Sequence, residues 1–172
     1  MARRHEPDPD VATADPAAVR EAALKLLERT RRTRSDLARR LRDKGFAPPA
    51  VDDVLDRLAE VGLVDDAEFA RAWLTGRWGR RASGWRSLEQ SLRQKGVGAE
   101  DIARGRALLE SREGAADEIA LARRAIAQSE RRFAALDPHV RRQRQYALLA
   151  RRGFDGDVIR RALAVPDDEA SE

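Results

Sequence analysis

At 172 residues, with 42% hydrophobic, 37% charged and 5% aromatic content, the chain can form one or two small domains but is too polar for a single large core. It has no cysteine, which excludes a disulfide framework, a thiolate nucleophile and a zinc–thiolate site. No apolar run approaches the ~18 residues of a membrane span, and the start from Met1 to Asp10 has no apolar signal-peptide core, so a cytoplasmic protein without membrane contact is expected.

The net charge of +4 understates how basic the chain is. Residues 1–15 carry a net −2 and residues 166–172 a net −4, which leaves +10 on the body between them. Only Lys25, Lys44 and Lys95 are lysines, so 31 of the 34 positive charges are arginine, the side chain suited to bidentate contact with phosphate or carboxylate. Solvated helix faces account for part of this charge, and the surplus calls for a polyanionic partner.

Residues 1–15, rich in proline and aspartate, read as a disordered acidic tail. Asp15-Pro16 is then an N-cap followed by proline at the first helical position, and Val19, Ala23, Leu26 and Leu27 keep helical spacing to about Arg29. A basic turn, Thr30 to Arg34, leads to a helix that Ser35 is expected to cap, that carries Leu37 and Leu41, and that Gly45 ends. Pro48-Pro49 opens a third helix with Val51, Val54, Leu55 and Leu58 inward. Residues 16–62 thus form a first three-helix repeat.

The second repeat, 63–111, begins with Asp65 and Glu68 in capping-box spacing. Phe69, Trp73 and Leu74 form the inner stripe of a helix expected to reach about Arg80. The next helix carries Leu88 and Leu92, ends at Gly96 and is followed by Val97. The last begins at Gly98-Ala99 and faces Ile102, Leu108 and Leu109 inward. The third repeat, 112–164, has Ile119, Ala122, Ala125 and Ile126 on its first helix, followed by Phe133 and Leu136. Asp137-Pro138 starts a second helix with Tyr146 and Leu149 inside, and Val158, Ile159 and Leu163 line a short last helix. Residues 165–172 form an acidic tail.

The three repeats share a signature. Apolar residues four apart are followed by a helix-ending glycine, then by an apolar residue: Leu37/Leu41/Gly45/Phe46, Leu88/Leu92/Gly96/Val97 and, with Gln145 in the first place, Leu149/Gly153/Phe154. The glycines are 51 and 57 residues apart, a period suited to three short helices. No stretch alternates apolar and polar residues as a strand would. The expected fold is all-α, three tandem three-helix repeats in an elongated, curved arrangement.

Catalytic constellations are nearly absent. His5 and His139 have no metal-type partner at i+3 or i+4, and there is no phosphate-binding glycine loop. Neither a metal nor a cofactor is expected, and the chain does not read as an enzyme. The basic stretches say more. Residues 71–95 hold Arg71, Arg77, Arg80, Arg81, Arg86, Arg93 and Lys95 against only Glu89, among Trp73, Trp78 and Trp85, a mixture expected of a nucleic-acid surface. Trp73 falls on the core stripe, Trp85 is expected to staple a helix start, and Trp78 lies off the stripe as the candidate exposed aromatic. Residues 123–165 carry a net +7. The expected contact residues are Arg77, Trp78, Arg80, Arg81, Arg86 and Lys95, then Lys44, Arg144, Arg151 and Arg152.

The run Gly62-Leu63-Val64-Asp65-Asp66-Ala67-Glu68-Phe69-Ala70, an Arg-rich helix, and then Gly84-Trp85 with Leu88, Leu92, Lys95, Gly96 and Val97 resemble the central signature of the RecX regulatory family. The flanking repeats, Leu37 to Phe46 and Leu149 to Ile159, extend the likeness over about residues 18–164. Trp85 stands where many relatives have proline, and Gln145 departs from the leucine pattern. The resemblance implies a protein of tandem three-helix repeats that binds the RecA recombinase filament and suppresses its ATP hydrolysis and strand exchange. It would do so by capping growth or by lying in the filament groove, with single- and double-stranded DNA contacted through phosphates. A monomer is expected. The alternatives are a stand-alone nucleic-acid-binding helical module and a structural adaptor for an acidic protein.

Overall fold

The computed structural model describes residues 15–78 and 82–164. Among these residues there are nine α-helices and no strand. They are α1 (Pro16–Arg29), α2 (Arg34–Asp43), α3 (Pro48–Glu60), α4 (Asp66–Thr75), α5 (Trp85–Gln94), α6 (Ala99–Glu113), α7 (Glu118–Phe133), α8 (Pro138–Arg151) and α9 (Gly156–Leu163). The tails expected at residues 1–15 and 165–172 fall outside the described residues, except for Asp15.

Aspartate starts most of the helices. The Asp15 carboxylate accepts from Ala17 N at 2.9 Å, Asp137 from His139 N at 2.9 Å, and Asp155 from Asp157 N at 3.1 Å. Asp117 satisfies two amides, those of Ile119 and Ala120. Each such cap is worth about 0.5–2 kcal/mol. Pro16, Pro48 and Pro138 add the preset φ of a first helical residue. Asp65 accepts from Glu68 N at 2.8 Å, which is the aspartate half of the expected capping box, while the Glu68 carboxylate receives Arg31 at 3.1 Å. The cap of α2 is not Ser35. Thr33 holds that place and accepts from Asp36 N at 3.1 Å, because the helix starts earlier than the apolar spacing indicates. The fourth helix is also shorter than expected, ending at Thr75 rather than near Arg80.

The chain forms two compact units. The first comprises Met1–Ala70 with Arg93–Gly105, and the second Arg71–Leu92 with Arg106–Glu172. In the first, α1, α2 and α3 pack against one another around Val19, Leu37, Leu41, Val51, Leu55 and Leu58, all no more than 2% exposed. Burying each of these side chains contributes about 1.5–3 kcal/mol. In the second, α7, α8 and α9 pack together around Leu121, Ala122, Ala125, Leu149, Phe154 and Ile159.

One joint occurs twice, once in each unit. In the first unit the Thr33 hydroxyl donates to the Lys95 carbonyl at 2.9 Å, so the start of α2 meets the glycine turn that ends α5. In the second, Gly84 N donates to Arg152 O at 2.9 Å and Arg86 N to Gly153 O at 3.1 Å, so the start of α5 meets the glycine turn that ends α8. Gly96 and Gly153 have φ of 81° and 82°, the left-handed conformation that closes a helix. A Cβ on either would lie closer than 3.0 Å to Ser35 or Ser87, respectively. These glycines are required by what they touch as well as by how they turn.

Two residues expected in the core are exposed, and several others are only half-buried. Tyr146 is 44% and Leu108 37% exposed, and Trp73 is only half-buried. The neighbouring helices cover only a stripe of each helix face. On α8 that stripe is Leu149, which is fully buried.

Candidate nucleic-acid and partner interface

One basic feature of the first unit is an open cleft of about 460 Å³ at the start of α2. Arg31, Arg32 and Arg39 come from α2 and the turn before it, and Arg93 and Lys95 from the end of α5. Asp36 is the one acidic residue among those that line it. The Thr33–Lys95 bond joins the basic end of α5 to the basic start of α2 within it. The positive end of the α2 dipole adds to the field there.

Asp36 organises the guanidinium groups. It accepts from Arg32 at 2.8 Å and Arg40 at 2.8 Å, and Arg39 also pairs with it. Partial burial alone would raise its pKa, but the hydrogen bonds from Arg40, Arg32 and Arg39 outweigh this and hold it at about 2. A carboxyl lowered from 3.8 stabilises the fold above the unfolded value and loses that contribution as pH falls through the folded one. After allowance for solvent screening, about 1–2 kcal/mol of stability is expected to disappear between roughly pH 4 and pH 2. Urea unfolding across that range checks it: Asp36→Asn should lose the stability at neutral pH and flatten this part of the profile.

Asp66, by contrast, is pushed above its ordinary value by burial, despite accepting from Arg34 N at 2.8 Å, and Asp101 and Asp65 raise it further.

The expected contact residues divide between the units. Lys95 lines the α2 cleft. Lys44, the C-cap of α2, borders a separate cleft with Lys25, Arg29, Arg40 and Phe46. In the second unit Arg77 is exposed, lies 4.3 Å above the Trp73 ring and donates to Trp73 O at 3.0 Å. Arg86 is bound to Asp155 at 2.7 Å, which ties the start of α5 to the cap of α9. Arg144 and Arg151 are exposed, while Arg152 is half-buried and points its guanidinium at Ala82 O, 3.5 Å away. Arg80 and Arg81 lie outside the described residues.

Trp78 is not an exposed stacking platform. It is half-buried, edge-on to Trp85 at 5.0 Å between centroids and 63° between planes. The Arg106 guanidinium lies 5.1 Å from the Trp78 ring and 4.4 Å from the Trp85 ring, and it also pairs with Glu110 at 2.7 Å. Such an aromatic–cation cluster is a packing unit. Sequence reasoning misses Arg39 as a cleft residue because it has no aromatic neighbours. It passes over Arg31, although the basic run from Thr30 to Arg34 marks the place. Among the described residues, no group of three or more His, Asp or Glu could hold a metal, and no helix is long and apolar enough to cross a membrane.

Comparison with known proteins decides the family. The first three-helix domain of RecX matches residues 20–58, the second residues 65–105 and the third residues 116–163. The chain belongs to the RecX family. It is 42% identical over 160 residues to the regulatory protein RecX of Halorhodospira halophila, covering 92% of this chain and 94% of that one. It is 38% identical over 150 residues to that of Thermobifida fusca, covering 86% and 77%. The crystal structure of RecX from Lactobacillus salivarius superposes with a TM-score of 0.74 at 16% identity, over 86% of this chain and 93% of that one. A second RecX regulatory-protein crystal structure gives 0.72 at 25% identity, over 93% and 79%.

One turn glycine, Gly45, Gly96 or Gly153, falls in each RecX domain. The α2 cleft takes Arg31 and Arg39 from the first domain and Arg93 and Lys95 from the second. The all-helical fold of three tandem three-helix domains is therefore the RecX fold.

Proposed function

We propose that this chain regulates the RecA recombinase by binding the recombinase–DNA filament and lowering its ATP hydrolysis and DNA strand exchange. The observation that carries this reading is the likeness, along most of the chain, to regulatory proteins named RecX. The basic clefts supply a physical route. A filament carrying DNA presents phosphates and acidic side chains, and the body between the tails carries +10. Regulation of this kind needs no covalent chemistry, only stronger binding to one filament state than to its competitors. Exposed ion pairs such as Arg57–Asp53 at 3.0 Å are worth about 0–1 kcal/mol each, so an incoming phosphate can take over such a guanidinium at little cost.

DNA-dependent ATP hydrolysis by the cognate RecA, titrated with this protein at two salt concentrations, tests the proposal. Inhibition well below one molecule per recombinase subunit is expected. A fall only when the DNA is saturated with protein would favour simple competition for DNA by a stand-alone binding module. No effect on hydrolysis would overturn the proposal.

A further inference from the structure

The third domain displays an aromatic ring where the helical spacing predicts a buried one. Tyr146 lies on α8 and is 44% exposed, while Leu149 on the same helix is fully buried. It borders an open cleft of about 340 Å³ between α8 and α9. His139, Arg142 and Gln143 line it from the preceding turns of α8, and Arg160 and Leu163 from α9. No carboxylate lines it. Asp157 pairs with Arg160 at the solvent-facing rim, both side chains being more than two-thirds exposed. Gln143 Nε2 lies 3.0 Å from His139 Nε2, so two flat polar groups stand beside the tyrosine ring.

From this juxtaposition we infer that the α8–α9 cleft is a stacking site for an unpaired base of single-stranded nucleic acid, with Tyr146 as the platform and Arg142 and Arg160 as the phosphate contacts. This rests on the proposed reading in that DNA is part of the target. Each element has a distinct task. A half-exposed ring offers one face to a base. The flanking guanidinium groups meet the backbone on either side of it. His139 and Gln143 present hydrogen-bonding edges that a base can share and an aliphatic side chain cannot. An acidic peptide would use the two arginines but would leave the ring and the polar edges unmatched. Duplex DNA, with its bases stacked internally, would offer the ring nothing. The cleft therefore favours single strands, and the surplus of positive charge through residues 123–165 makes the surrounding surface attractive to them.

The test is the full-length chain with fluorescein-labelled oligothymidine and a length-matched abasic oligomer, which carries the same phosphates without bases. Fluorescence anisotropy should show the wild type binding oligothymidine more tightly, by roughly 5- to 100-fold, as one or more stacked bases would give. Tyr146→Ala should remove most of that preference without changing abasic binding, and Tyr146→Phe should keep it. Arg142→Ala should weaken both ligands alike. Equal losses for both ligands in Tyr146→Ala, or no loss for either, would overturn the stacking site. If Tyr146→Ala left DNA binding intact but weakened inhibition of the recombinase ATPase, the cleft would be a protein-docking site and the inference would fall. A wild type that shows the base preference but never inhibits the recombinase would remove the proposed function and leave this site standing. Because Tyr146 is so exposed, its variants should melt within a few degrees of the wild type, and circular dichroism verifies this.

Discussion

Gly153→Ala is expected to lower the melting temperature by about 10 °C, a loss of about 2–5 kcal/mol at the usual few degrees per kcal/mol. Two costs combine at this position. A non-glycine residue at φ of 82° is strained by roughly 1–2 kcal/mol. The new methyl group would also lie closer than 3.0 Å to Ser87 N, and overpacking of this kind typically costs a further ~1–3 kcal/mol. Ser87 cannot retreat easily, because the start of α5 is bonded to the Gly153 turn through Arg86 N and through Gly84 N. Gly114→Ala is the matching control. Gly114 has φ of 83°, but a methyl group added there would meet nothing within 4 Å, so only the conformational cost should appear. Thermal melts of the two variants side by side separate turning from touching. Equal melting points would mean that the joint does not constrain the glycine.

The second large effect should come from reversing charge in the α2 cleft. Arg39→Glu with Lys95→Glu is expected to weaken binding to DNA by tenfold or more at about 100 mM salt. The slope of log affinity against log salt should become shallower by about two, since each lost phosphate contact removes about 0.9. Both side chains are exposed, and the Thr33 bond is to the main-chain carbonyl of Lys95, so the substitutions leave the joint intact. Anisotropy titrations at several salt concentrations provide the measurement. An unchanged slope in a folded double variant would take the cleft out of the interface. If affinity fell for DNA while recombinase inhibition persisted, the cleft would serve DNA rather than the recombinase.

Much of this molecule is legible along the chain, and particular residues show why. Helix starts are written in short local signals, so Asp15-Pro16, Pro48-Pro49 and Asp137-Pro138 mark true helix starts. Helix ends with glycine are equally local, which makes the triplication visible through Gly45, Gly96 and Gly153. The apolar stripe of α3, Val51, Val54, Leu55 and Leu58, is buried throughout as its spacing requires. Where sequence and structure part, the cause is a contact between residues far apart in the chain. The cap of α2 is the exception: Thr33 accepts from Asp36 N, a local pattern that apolar spacing passes over, and only its second bond, to the Lys95 carbonyl 62 positions away, is long-range. Trp78 reads as exposed because its place off one stripe says nothing of Trp85 and Arg106.

Composition and local spacing are enough to establish an all-α chain, a threefold repeat, a basic body between acidic ends and the family signature. These depend on interactions within one or two helical turns and on residue counts, both of which can be read along a line. Which charges are engaged and which face an open cleft is settled by packing in three dimensions. Arg86 and Arg77 belong to the same basic stretch, yet one is held by Asp155, 69 positions further on, and the other lies over its neighbour Trp73. Tyr146 faces outward for the same reason. Helical periodicity says which residues share a face, but the neighbouring helices decide how wide a strip of that face is covered.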